Sequence, residues 1–368
     1  MKKFLIIAAA AIVAAAACTK SETRTPDFEV RFQVANYTPA TRAEAFDINS
    51  TFSTSAWFHE NETAAAQEFM DSEVISWQSA SRSWAPSRVY FWPKTGWVNF
   101  FSQAGTPAAT ITEGQAAYSA KTIAITDDAL LASAAYRYNA NKNVYDIQYE
   151  STDVQGVPTL FHHILSKVTV QVRFDASELT GKADADKYKW NLVIDEASLI
   201  YANKGSLTVN FTDPAATGQA WPYTTATVGW VPTSGEANVT EAAPAANIGS
   251  TKTITTVAPN VSDPNILLDE ISVMPQDVTA ATGTDAKFAV KFTITEFYDN
   301  VEGIHYTVDL TGTDAIPVSD FTNGVNAWNM NYKYTYTLTV KPNKTVTFDP
   351  AVAEWESVTD PEYIYPNA

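Results

Sequence analysis

The sequence predicts an all-β protein of two tandem β-sandwich domains, with decorated loops and one or two short helices. Three observations lead there. Apolar residues recur at every second position in segment after segment, threonine, valine and aromatics dominate those segments, and helical periodicity is scarce. At 368 residues the chain is long enough for two cores.

The first residues fix the compartment. Lys2 and Lys3 precede an unbroken apolar run over residues 4–17, which ends at Cys18, the one cysteine of the chain. The run falls short of the ~20 residues that span a bilayer, and its charge order is that of a secretory signal. Ala15, Ala16 and Ala17 stand directly before Cys18, a placement that resembles a lipobox. Residues 1–17 therefore read as a lipoprotein signal peptide and Cys18 as the lipidation site. The mature chain then has no thiol left for a disulfide or a cysteine-ligated metal. The net charge of −17 excludes nucleic acid as a partner, because such a surface repels phosphate. No second apolar run suits a membrane span, so membrane contact is expected only through the Cys18 lipid.

Alternation then sets out the domains. Phe28, Val30, Phe32 and Val34 alternate with Glu29, Arg31 and Gln33, which marks a strand inside a segment 18–42. Val168, Val170, Val172 and Phe174 alternate with Lys167, Thr169, Gln171 and Arg173. The same period holds for Leu207, Val209 and Phe211; for Phe288 to Ile294; for Ile304 to Leu310; and for Tyr332 to Val340. Pro342 and Asn343 suit a hairpin turn before Val346 and Phe348. Residues 63–70 and 126–135 are the expected short helices, and 104–120 and 214–256 read as loops or irregular insertions. Gly156–Pro158 reads as a hinge. The expected domains are 43–165 and 166–355, followed by a tail at 356–368.

Chemistry-bearing motifs are few. His162 and His163 are adjacent on a strand and point to opposite faces, so they do not chelate one metal together. His59 and His305 stand outside any motif. Asp127–Asp128 fits a turn or helix cap better than a calcium site, and Glu296, Asp299 and Glu302 fit a solvated turn. Ten tryptophans offer either core packing or a sugar platform, with core packing the simpler use. There is no phosphate loop, nucleophile elbow or zinc-type spacing. The sequence thus gives no catalytic residues, no metal ligands and no cofactor, and the chain is expected not to be an enzyme.

Five segments in order resemble the fimbrillin family of type V pilins and accessory fimbrial subunits. They are Val89-Tyr90-Phe91-Trp92-Pro93-Lys94-Thr95-Gly96 with Val98-Asn99-Phe100-Phe101-Ser102; Asp127 to Ala134; Val157 to Val168; Met274-Pro275-Gln276; and Trp328 to Tyr336 with Val346 to Trp355. The resemblance implies sandwiches of the transthyretin-like, Greek-key type and an outer-membrane lipoprotein that passes to the cell surface and the fimbrium. It also implies a trypsin-like, arginine-specific surface protease as a partner, with Arg42 and Ala43 flanking its cut. Arg24 and Arg31 are competing sites, and Arg31 lies inside a predicted strand. Cutting would remove the strand carrying Phe28, Val30, Phe32 and Val34, and another fimbrial subunit would fill the groove by strand addition in a homo- or hetero-polymer. Val358, Tyr363, Ile364 and Tyr365 make the tail the candidate donor strand, although Pro361 and Pro366 remove two backbone donors. The other reading is a non-polymerising surface lipoprotein that binds glycans or host proteins. A β-sandwich enzyme would need paired carboxylates that the sequence does not locate.

Overall fold

The structure is a computed structural model that describes residues 29–36, 49–81, 83–139, 144–147, 156–211, 230–232, 239–242, 252–279, 286–320, 325–354 and 362–363. The first strands are β1 (Phe32–Asn36), β2 (Thr51–His59), β3 (Gln67–Gln78), β4 (Ser83–Pro86), β5 (Trp97–Thr106) and β6 (Thr110–Thr112). They are followed by β7 (Gln115–Thr122), β8 (Asp128–Asn139), β9 (Val144–Ile147), β10 (Val157–Thr159) and β11 (His162–His163). Next come β12 (Ser166–Phe174), β13 (Tyr188–Tyr201), β14 (Lys204–Asn210), β15 (Val231–Pro232), β16 (Val239–Ala242) and β17 (Lys252–Val257). The chain continues through β18 (Asn265–Val273), β19 (Gln276–Asp277), β20 (Lys287–Tyr298), β21 (Val301–Leu310) and β22 (Ile316–Pro317). It ends with β23 (Ala327–Trp328), β24 (Tyr332–Val340), β25 (Val346–Glu354) and β26 (Glu362–Tyr363). Helix among the described residues is limited to single 3-10 turns such as Ser177–Leu179 and Ala185–Lys187. The fold is all-β, as the alternation predicts.

Three cores hold the molecule together. The first belongs to a ten-stranded sheet ordered β10-β1-β4-β3-β2-β5-β8-β11, with β9 added on β8 and β26 on β1. Its strands turn Phe32, Phe52, Met70, Trp84 and Phe100 into one cluster, which Phe161 joins from the connection between β10 and β11. The second is a sandwich of sheet β18-β12-β24-β25 against sheet β16-β13-β20-β21, which β17 and β22 extend. Strand β12 buries every second residue, and Val168 to Phe174 meet Trp190, Phe292 and Tyr336 between the sheets. The third core joins the two parts of the chain. Strand β14 pairs antiparallel with β7, and Tyr118, Leu131, Leu165, Leu207 and Trp230 pack together there.

Four expectations are overturned. Residues 67–70 of the first expected helix open β3, while Asn61 Oδ1 accepts from the N–H groups of Thr63 and Ala64 and forms a turn. Pairing of Gln67, Glu68 and Met70 with β2 makes that end of the stretch a strand, and Ala64, Ala65 and Ala66 lie in the connection before it. The second expected helix is mostly β8, which lies between β5 and β11. Residues 104–120 hold the end of β5, then β6 and β7, in which Ala116 and Tyr118 face a core. Gly156 and Pro158 form no hinge, because Val157–Thr159 is a strand running parallel to β1. Within 214–256 the described residues are Trp230, β15, β16 and part of β17, and the rest of that stretch lies outside them.

Two polar contacts lock the second part. Gln276 is fully buried, and its Oε1 accepts from Ala202 N–H at 3.2 Å while Nε2 donates to the Ala202 and Met274 carbonyls at 2.9 Å. Trp328 Nε1 donates to the Tyr336 hydroxyl at 2.9 Å. Replacing Gln276 by Leu leaves the Ala202 groups buried without these partners, at a cost of about 2–4 kcal/mol. The expected result is a lower midpoint of urea unfolding with an unchanged slope.

Candidate assembly site

The site is built around β1. Alternation sends Val30, Phe32 and Val34 to one face, where they are 2%, 1% and 2% exposed. Phe32 stands edge-on to two rings, Phe52 and Phe100, with both centroids 5.7 Å away and interplanar angles of 80° and 90°. Phe52 in turn meets Phe161 and Trp84. Gln33 on the opposite face is also buried, so the strand is covered on both sides. The part-exposed ion pair of Arg31 Nη2 with Glu29 Oε2, at 3.4 Å, adds little in solvent.

The backbone of β1 has partners on both edges. Strand β10 runs parallel beside it, pairing Phe32 with Val157 and Val34 with Thr159, and β4 meets it antiparallel at Phe32 and Trp84. Val30 N–H donates to the Tyr90 carbonyl at 2.9 Å, and Val157 N–H donates to the Arg31 carbonyl at 2.7 Å. Gly156 lets the two chains approach this closely, since a Cβ there would lie 2.8 Å from the Arg31 carbonyl oxygen. Tail strand β26 pairs antiparallel with the end of β1, with Ala35 opposite Tyr363 and Asn36 opposite Glu362.

The structure thus brings Val30, Phe32 and Val34 together with the backbone of Tyr363. Cys18, Phe28, Arg42, Ala43, Val358, Ile364 and Tyr365 lie outside the described residues. Gly156, Phe52 and Phe161 escaped the sequence reading as partners of β1. A glycine directly before a β-branched residue was the one signal for the close approach.

The other polar groups singled out in the sequence make local contacts. His163 Nδ1 pairs with Asp128 Oδ1, while Asp127 closes a turn by accepting from Ala124 N–H at 2.7 Å and from Thr106 Oγ1 at 2.5 Å. His59 stacks on Trp97 and reaches Glu113 at 3.1 Å, and His305 reaches Glu302 at 2.6 Å. Asp299 and Asn300, both at positive φ, make the two-residue turn between β20 and β21. None of the described tryptophans is exposed, and Trp84, Trp97, Trp190, Trp230 and Trp328 are buried; Trp221 and Trp355 lie outside the described residues. Among the described residues no three His, Cys, Asp or Glu side chains are grouped to hold a metal ion, and no helix is long and apolar enough to cross a membrane.

Neither a protein-family model nor a curated protein matches the chain. Among solved structures it is similar to a fimbrial protein from Bacteroides vulgatus, at 16% identity and a TM-score of 0.54, over 89% of this chain and 99% of that one. The fimbrial anchor protein of Porphyromonas gingivalis is aligned over 89% of this chain and 98% of that one, at 11% identity and a TM-score of 0.29. The first likeness establishes a shared fold over most of the chain, and the second is too loose to add to it.

Two outcomes are expected. Phe32→Ala opens a cavity between Phe52 and Phe100 and should lower stability by about 3–5 kcal/mol, read by chemical denaturation. Desolvation, helped by the charge of His163, pushes the His162 pKa from the usual 6.5 to about 4. The unfolded chain then binds a proton below pH 6.5 that the folded chain refuses until pH 4. This contribution is intact above pH 6.5 and is lost as pH falls toward 4, so His162→Gln should flatten the acid side of the stability profile relative to the parent.

Proposed function

We propose that this chain is a structural, adhesive subunit of a cell-surface fimbria. On this reading it reaches the outer membrane lipidated at Cys18, and an arginine-specific, trypsin-like surface protease cuts it between Arg42 and Ala43. It then joins other fimbrial subunits by β-strand exchange, with the body divided into domains at 165/166 and the tail 356–368 offered to a neighbour. The observation that carries the proposal is the burial of Val30, Phe32 and Val34 on a strand near the start of the chain, inside the first core. The fold shared with a fimbrial protein supports it.

Energetics favour exchange over simple loss of the strand. Three buried apolar side chains hold β1 with about 5–9 kcal/mol, at about 1.5–3 each. A cut in the connection removes the tether and leaves that term in place. Departure therefore needs a competing strand that fills the same positions as β1 leaves them.

N-terminal sequencing of protein extracted from the cell surface tests the proposal. A chain that begins at Ala43 within SDS-resistant ladders is the expected finding, and Arg42→Ala should abolish the ladders while leaving export intact. A chain that keeps lipidated Cys18 and is always monomeric would identify a non-polymerising surface lipoprotein, one that binds glycans or host proteins instead.

A further inference from the structure

We infer that the groove under β1 is matched to a replacement strand of the pattern β-branched, any, aromatic, any, β-branched, supplied by a different subunit and not by a second copy of this chain's tail. The inference rests on the strand-exchange reading above and adds the identity of the partner to it.

The strand now in place defines the three positions. Val30 and Val34 are buried to 2% and flank Phe32, buried to 1% and held edge-on by Phe52 and Phe100. A replacement has to bring its inward residues in at i, i+2 and i+4, because successive side chains of a strand face opposite ways. The central position takes a large ring with no polar atom at its tip, since Phe32 packs at 1% exposure within an apolar cluster against Phe52 and Phe100, where a hydroxyl would lose its water. The end positions take valine-sized groups.

The tail sequence fails this pattern in both registers. One face offers Ser357, Thr359, Pro361, Tyr363, Tyr365 and Asn367. Its most apolar triple, Pro361, Tyr363 and Tyr365, buries two hydroxyls and puts a proline at one end. The other face offers Val358, Asp360, Glu362, Ile364, Pro366 and Ala368. There Val358 is followed by two carboxylates, which cannot enter an apolar core unpaired. The remaining triple, Ile364, Pro366 and Ala368, sets proline where Phe32 stands, leaving the space between Phe52 and Phe100 underfilled and one backbone donor missing. The tail's described residues, Glu362 and Tyr363, pair beside the end of β1 at Asn36 and Ala35, while Val30, Phe32 and Val34 keep their places in the core.

Peptide exchange on the full mature chain tests this. A recognition site for a specific protease placed within residues 37–48 gives one nick and leaves β1 seated. Fluorescent peptides of residues 27–36, the same peptide with Phe32→Ala, and residues 356–368 are then each added, and incorporation is followed by anisotropy and mass spectrometry. The 27–36 peptide should enter, the Phe32→Ala peptide should bind roughly 100-fold or more weakly, and the tail peptide should not enter where the first saturates. Entry of the tail peptide within about tenfold of the 27–36 peptide overturns the inference and leaves strand exchange standing. Failure of the 27–36 peptide itself to enter overturns strand exchange, and the inference with it.

Discussion

A sheet cannot leave an interior strand position empty, and the first core of this protein places a strand from near the start of the chain in such a position. Strand β1 lies between β10 and β4, and its Phe32 is the ring on which Phe52 and Phe100 both rest. Without it, three apolar sites and the facing backbone edges of two strands would meet water together. The rest of the ten-stranded sheet is arranged around that dependence. Gly156 gives up a side chain so that β10 can come close, and Tyr90 offers its carbonyl to Val30.

The parts of this plan that were legible in the sequence are those where burial is one-sided. Strand β12 shows period two because its alternate residues see one core and solvent. Strands β5 and β8 do not fit that rule. Phe100 faces the first core and Phe101 the core shared between the two parts, and Ala132 and Leu131 divide in the same way. A strand buried on both faces loses its period, and the small residues of β8 then look helical. Strand β7 was hidden for a related reason, since its alternation is carried by Ala116 and Tyr118 among small and polar neighbours.

The candidate site divides along the same line. Val30, Phe32 and Val34 can be read directly, because a local alternation reports its own inward face. Their partners Phe52, Phe100, Gly156 and Phe161 are distant in sequence, and no local pattern couples them to β1. Gln276 shows a further limit. Its sequence segment is recognisable by likeness alone, whereas the structure supplies the physical reason, a side-chain amide that takes the place of a strand partner for Ala202.

The sheet formed by β7 and β14 has a mechanical consequence. Pairs from Lys204 opposite Thr122 to Asn210 opposite Gln115 tie the two parts of the chain by backbone hydrogen bonds, and Tyr118 and Leu207 seal the contact. Parts joined only by a flexible connection swing and extend under small loads. Here a pull that separates them has to strip one strand from another and wet an apolar seam. A load across the two parts is therefore carried by this ladder and its apolar seam, and not by the connecting chain alone.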